Sequence, residues 1–326
     1  MLNEMVNLLI SNSEILDKVE GTSEKNIDRK YCALNLTLRN ENANIDKIEK
    51  AIKLIKEKTS IFSEYRRRNL LNLAVNLSLE DDMEKSLSSI EDIYNKLKEE
   101  LSSSRYLMRA AEEIFFLKDS IDLEKAIKDT KTIYKEMKKD HRFETKREDV
   151  CTAAMIAMTS DDIDKTFNEV RESYNTLTDC GFSKNNDLEL LSCVLTIINM
   201  PIDKKCAMVR DLSTNLKENK VELKKSALPI LGVAAFVTDD YNKLSKNALD
   251  VSNTLKENKS FKSLSVDEKV RNALSIILVV KCYLNNLDDK SKENVIKKYS
   301  DKSLDAIFAI ASSGSVTLEE IDVSLK

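Results

Sequence analysis

The strongest constraint on this chain is a period of about forty residues. It is marked by Ile93-Tyr94-Asn95-Lys96-Leu97-Lys98, by Ile133-Tyr134-Lys135-Glu136-Met137-Lys138 and by Ser173-Tyr174-Asn175-Thr176-Leu177. The series continues in Leu212-Ser213-Thr214-Asn215-Leu216-Lys217 and Val251-Ser252-Asn253-Thr254-Leu255-Lys256. From Tyr94 through Tyr134, Tyr174 and Ser213 to Ser252 the steps are 40, 40, 39 and 39 residues. A period this regular belongs to stacked units, each too small to bury its own apolar face.

Twelve residues before each marker stand Asp82, Asp122, Asp162, Pro201 and Asp240. A short acidic side chain accepts from free backbone N–H groups at a helix start and complements the dipole there. Proline suits a first turn, which has no donor to lose. Four residues after each marker stand Lys98, Lys138, Thr178, Lys217 and Lys256, mostly cations placed to balance a helix C-terminus. Between these limits the apolar spacing is helical, as in Leu87, Ile90, Ile93, Tyr94 and Leu97.

Upstream of each such helix B lies a more apolar helix A. The five stretches are Leu70 to Leu79, Leu107 to Leu117, Val150 to Met158, Leu188 to Ile198 and Ala227 to Val237. Small residues such as Ala74, Ala110, Ala153, Cys193 and Gly232 let neighbouring helix backbones approach closely. The expectation is an all-α superhelix (solenoid) of six to seven helix pairs forming one domain over 1–326. Residues 1–27 form a capping helix and linker, 28–265 the repeats and 266–326 the closing helices and tail. The first repeat, less regular, runs from Tyr31 to Glu57. The closing part holds Ile307, Phe308 and Ile310, and the chain from Ser312 onward frays.

With 4 Gly and 2 Pro the chain lacks the turn chemistry of a β-sandwich or a Rossmann crossover. A net charge of -4 argues against a general nucleic-acid binder. The N-terminal Met1 to Ile10 has no basic stretch and reads as an amphipathic helix, and the longest apolar run, Ile276 to Val280, is too short to span a membrane. A soluble, cytoplasmic protein is expected. The 6 cysteines, with no C-x-x-C pair, read as reduced core thiols.

No phosphate-loop, dinucleotide or nucleophile-elbow motif occurs, so no cofactor, metal or catalytic residue is assigned. The lone His141 reads as a solvated or capping residue. The pairs Asp81-Asp82, Asp161-Asp162 and Asp239-Asp240 have a metal or hydrolytic reading, with helix capping the simpler one. Tyr94, Tyr134 and Tyr174 either interlock in the core or line a groove. The lysine series either balances helix dipoles or meets an acidic partner. The least ordinary segment is Ile61-Phe62-Ser63-Glu64-Tyr65-Arg66-Arg67-Arg68-Asn69. Three successive arginines cannot share one helix face, and Tyr65, Arg66, Arg67 and Arg68 are the candidate binding residues for a carboxylate or phosphate.

The chain resembles a firmicute family of uncharacterised proteins, the domain of unknown function 4003, over nearly its full length. The resemblance rests on Ile61-Phe62-Ser63 with Tyr65-Arg66 and Asn69-Leu70, on the helix ends at Tyr94 and Tyr134, and on Cys180-Gly181-Phe182. It implies a bacterial cytoplasmic protein and carries no activity, ligand or site residue. Arg67 and Arg68 depart from the family pattern, in which a smaller residue such as glycine is expected. The leading functional expectation is a scaffold that holds a protein or peptide partner. The alternatives are nucleic-acid or phosphate recognition through Arg66 to Arg68 with Lys56 and Lys58, and an enzyme with an inter-helix pocket.

Overall fold

The computed structural model describes residues 1–66, 69–139, 145–264, 266–288 and 290–291. Every regular element among them is helical. After α1 (Leu2–Leu16) come the pairs α2 (Asn26–Leu38) and α3 (Ile45–Lys58), α4 (Leu70–Leu77) and α5 (Met83–Lys98), and α6 (Arg105–Phe116) and α7 (Leu123–Lys139). Then follow α8 (Asp149–Thr159), α9 (Ile163–Asp179), α10 (Asn186–Leu195), α11 (Ile202–Glu218), α12 (Leu231–Ala234), α13 (Tyr241–Glu257) and α14 (Glu268–Asn286). The expected closing residues Ile307, Phe308 and Ile310 lie outside the described residues.

Contacts divide the chain into two compact units: Asn7–Met158, and Met1–Val6 with the chain from Thr159 onward. In the first unit the B helices α3, α5 and α7 pack side by side, while α2 meets α4 in the other layer. In the second, α9, α11 and α13 form one layer, and α10, the α12 region and α14 the other. Each unit is thus a two-layer stack of helix pairs in chain order.

Capping side chains define where the B helices start. The backbone N–H groups of Lys85, Lys125 and Lys165 donate to Asp82, Asp122 and Asp162, each at 3.0 Å, and that of Lys243 donates to Asp240 at 2.9 Å. Such a cap is worth about 1 kcal/mol. Pro201 occupies the cap position of α11 itself, with ψ 141°, and offers no side-chain bond. Asn44 extends the series to α3 by accepting from the N–H of Lys47 at 3.0 Å. The lysines expected at the other end stand in the last turns of α5, α7, α11 and α13, all exposed.

Three helices end in the same αL cap. At Asn40 (φ 57°), Gly181 (φ +93°) and Lys220 (φ 62°) the chain turns left-handed. The next residue's N–H reaches back to the last helical turn: Glu41 to Leu36 O (2.9 Å), Phe182 to Leu177 O (3.1 Å) and Val221 to Leu216 O (2.8 Å). This double-bonded terminus satisfies carbonyls the helix leaves free. Glycine adopts the turn without steric cost, whereas Lys220 does so at about 1 kcal/mol.

The small residues act as expected. Ala74, Ala110, Ala111, Ala153, Ala154, Cys193, Ala234 and Ala235 are at most 1 % exposed. A Cβ placed on Gly232 would lie 2.7 Å from Val194 Cγ1, so only glycine lets α12 sit this close to α10. The continuous helix expected over Ala227 to Val237 does not form. A 3-10 helix (Lys225–Ile230) leads into the four-residue α12 instead. Pro229, which has no N–H to donate, stands inside that stretch and breaks the α-helical ladder.

Candidate functional site

The segment singled out by its arginines is the α3–α4 connector. Tyr65 is 5 % exposed, and its ring meets Tyr94 edge-on with centroids 5.6 Å apart. Burial pushes its hydroxyl far above the ordinary range, with the Glu91 carboxylate adding to the effect. Arg66 is half-buried; its Nε donates to Thr59 Oγ1 (3.2 Å) and its Nη2 to the Thr59 carbonyl, at the C-terminal end of α3. Arg67 and Arg68 lie outside the described residues. Earlier in the connector Ile61 and Phe62 stand 71 % and 82 % exposed, a pair the arginine pattern overshadows. The structure therefore uses Tyr65 as core and Arg66 as a helix terminator.

A second set of residues converges on the inner layer of the same unit, where sequence reasoning saw only small side chains. Asn35 Nδ2 on α2 donates to Asn76 Oδ1 on α4 (3.2 Å). Asn76 Nδ2 and Asn72 Nδ2 both donate to Glu112 Oε1 on α6, the latter at 2.8 Å. The Cys32 thiol faces Asn72 Oδ1 at 3.9 Å. A row of polar groups thus crosses three helices and ends on one carboxyl group. Glu112 is 2 % exposed, and its Oε2 has no hydrogen-bond partner among the described residues. One turn earlier, Arg109 Nε stands 3.7 Å from Glu113 Oε1.

The electrostatics follow from burial. Desolvation raises the Glu112 pKa, while Arg109 and the Asn76 amide pull it back. At Arg109 burial disfavours the charge, and Glu113 and Glu112 more than reverse it, so the pKa lies above the ordinary value. The Cys32 and Cys151 thiols are pushed well up by burial, the opposite of what an activated nucleophile needs. A buried carboxyl oxygen without a donor costs about 1–3 kcal/mol relative to a satisfied one. Along one edge of the row Asn35, Asn72, Arg109 and Glu113 are half-buried, so the network reaches the surface. Amides, a carboxyl group and a guanidinium offer donors and acceptors to an incoming polar group.

The remaining sequence candidates take structural places. The tyrosine hydroxyls tie each B helix to the connector before the next A helix. Tyr94 Oη lies 2.6 Å from Ser103 Oγ, Tyr134 Oη donates to the Lys146 carbonyl (3.1 Å), and the Asn185 N–H bonds to Tyr174. Tyr94 and Tyr134 are core residues at 6 % and 5 %, whereas Tyr174 is only half-buried. Lys98 and Lys138 lie over the rings of Tyr94 and Tyr134, 5.9 and 4.7 Å from the centroids. In the aspartate pairs the second member caps, and Asp81, Asp161 and Asp239 are exposed. All six cysteines are free, and Cys180 alone is not buried. His141 lies outside the described residues. Among the described residues, no three His, Cys, Asp or Glu side chains gather as metal ligands would, and no helix is long and apolar enough to cross a membrane.

A family model for proteins of unknown function, DUF4003, matches residues 14–311. The chain belongs to this family. No curated protein and no solved structure matches it. Two of the stretches by which it resembles DUF4003 are explained by the fold. Tyr65 and Arg66 lock the α3–α4 connector, and Cys180-Gly181-Phe182 is the αL terminus of α9.

Proposed function

We propose that this DUF4003 protein is a non-catalytic helical-repeat scaffold that binds an extended segment of a partner protein along the α2–α4–α6 face. The observation that carries this reading is the row Asn35–Asn76–Glu112–Asn72, ending in a buried carboxyl oxygen with no donor. An extended peptide presents alternating N–H and C=O groups at about 3.3 Å per residue. Asn35 and Asn72 stand half-buried at the edge of this row, and an asparagine amide carries both a donor and an acceptor, so they suit such a main chain without demanding a particular sequence. Helical-repeat folds use their long inner faces in this way and bring no chemistry of their own. The raised thiol pKa values support binding over catalysis.

The test is selection of a displayed random-peptide library on the full chain, with titration of the enriched peptides. Asn72→Ala with Asn76→Ala is expected to weaken binding roughly tenfold or more, the worth of one or two hydrogen bonds to a desolvated site. Library selection without enrichment, or peptides that bind the double variant equally well, would refute the reading.

A further inference from the structure

In the second unit serine stands in place of the marker tyrosine at Ser213 and Ser252, and a cleft of about 210 Å³ opens at the first of them. Tyr94, Tyr134 and Tyr174 each bond to the connector ahead of the next A helix. The equivalent residue of α11 is Ser213, which lines the cleft. Replacing tyrosine by serine removes a ring and its hydroxyl from the place where α11 faces residues 219–228. In the following repeat, at Ser252, the 3-10 helix Lys259–Phe261 packs back on α13 and Phe261 is 0 % exposed. At Ser213 the cleft remains, with Val221 among its lining residues.

The walls are fixed by backbone geometry. Phe182 and Val221, both lining the cleft, are the residues that follow the αL turns ending α9 and α11. Leu216, Leu228 and Leu231 complete an apolar floor. The rim is cationic. Lys217 stands four residues after Ser213, as Lys98 and Lys138 stand four after the tyrosines whose rings they cover. It is thus placed to lie over a ring that this chain does not provide. Lys225 also lines the cleft, and Lys224 next to it in the chain is bridged to Asp267 at 3.3 Å. Lys217 and Lys225 are exposed.

We propose that this cleft binds a small aromatic anion, its ring taking the place of the missing tyrosine under Lys217 and its carboxylate or phosphate meeting Lys225. An apolar floor selects the ring, the lysine over its face adds a cation–π contact, and the second lysine selects the charge.

Phenyl phosphate titrated into the full chain, followed by ligand-observed NMR and calorimetry, tests the assignment. Saturable one-to-one binding is expected, with no comparable binding of benzyl alcohol or of inorganic phosphate. Lys217→Gln with Lys225→Gln is expected to weaken it roughly tenfold or more, since two charged contacts are lost from exposed positions. Ser213→Tyr restores the repeat, so binding should vanish while the melting temperature holds or rises. The proposal is overturned if phenyl phosphate does not saturate, if the lysine variant binds as tightly as the parent, or if inorganic phosphate binds equally well. If Ser213→Tyr fails to fold, the lysine variant decides alone.

Discussion

On α2, α4 and α6 polar side chains reach from helix to helix, whereas on α10 they fold back onto their own helix. Ser192 Oγ donates to the Leu188 carbonyl (2.8 Å) and Thr196 Oγ1 to that of Cys193 (2.7 Å), and around them Leu188, Leu191, Val194 and Leu195 are fully buried. Asn72, Asn76 and Glu112 instead bond across helices and leave one carboxyl oxygen without a donor. Aspartate or asparagine caps open the B helices of both units except α11, which starts at Pro201, so the repeat supplies the frame in both. The α10 hydroxyls are met within their own helix, although Asn272 on α14 leaves its Oδ1 without a hydrogen-bond partner among the described residues. A polar inner layer with an unmet group retains a capacity to bind, at a cost in stability.

The largest effect that would sharpen this contrast is Glu112→Ala. Removing the carboxyl group orphans the buried Asn76 amide and the half-buried Asn72 amide, and chemical denaturation should show a loss of about 3 kcal/mol. A loss no greater than that of an ordinary surface change would break the comparison. Glu112→Gln keeps an acceptor and removes the desolvated charge, so it should cost far less.

A second buried acid gives a pH test. Burial raises Asp149 to about 7 against an ordinary 3.8, despite a bond from the Lys146 N–H at 2.6 Å. With a raised folded-state pKa, the stabilising contribution is complete below about pH 4 and is lost as pH rises to about 7, by up to about 1.4 kcal/mol per pH unit. Asp149→Asn keeps the acceptor and should flatten the melting-temperature profile between pH 4 and 7. A parallel profile would contradict the assignment.

In the apolar layer, Gly232→Ala presses a methyl group onto Val194 and should cost about 1–3 kcal/mol as the packed side chains shift. Differential scanning calorimetry would register this as a lower, still cooperative transition. The smallest expected effect is at Lys220, where φ 62° suits glycine better. Lys220→Gly should add about 0.5–1 kcal/mol in urea unfolding. No gain there would mean that Lys220 makes a compensating contact.

Much of the fold was legible because it rests on local chemistry. Asp82, Asp122, Asp162 and Asp240 cap the helices their positions indicate, since a cap needs only its own side chain and the next turn. The first repeat was harder to see because Asn44 replaces the aspartate, although Lys47 follows it at the same offset as Lys85 follows Asp82. Glu24, which accepts from the Leu71 N–H at 2.7 Å, is a cap for α4 supplied from 47 residues away, beyond any local pattern. The helix expected at Ala227 to Val237 failed on Pro229, a residue visible in the sequence.

The candidate site was less legible. Tyr65 and Arg66 drew notice for their charge and aromaticity, yet one is core and the other ends α3. The converging residues carried a quieter signal. Asn72 and Asn76 are one turn apart on an apolar helix, and Arg109 and Glu113 are likewise one turn apart on α6. Such spacing puts polar groups on one face, but only the packing of α2, α4 and α6 shows that the three faces meet.

The most direct test separates stability from binding at that face. A triple variant, Asn72→Leu with Asn76→Leu and Glu112→Met, replaces the polar row by apolar groups of similar size. Its unfolding free energy should match or exceed that of the parent, since a half-satisfied buried network contributes little net stability, while the library-selected peptides should no longer bind. A variant that keeps those peptides at parental affinity would contradict the account.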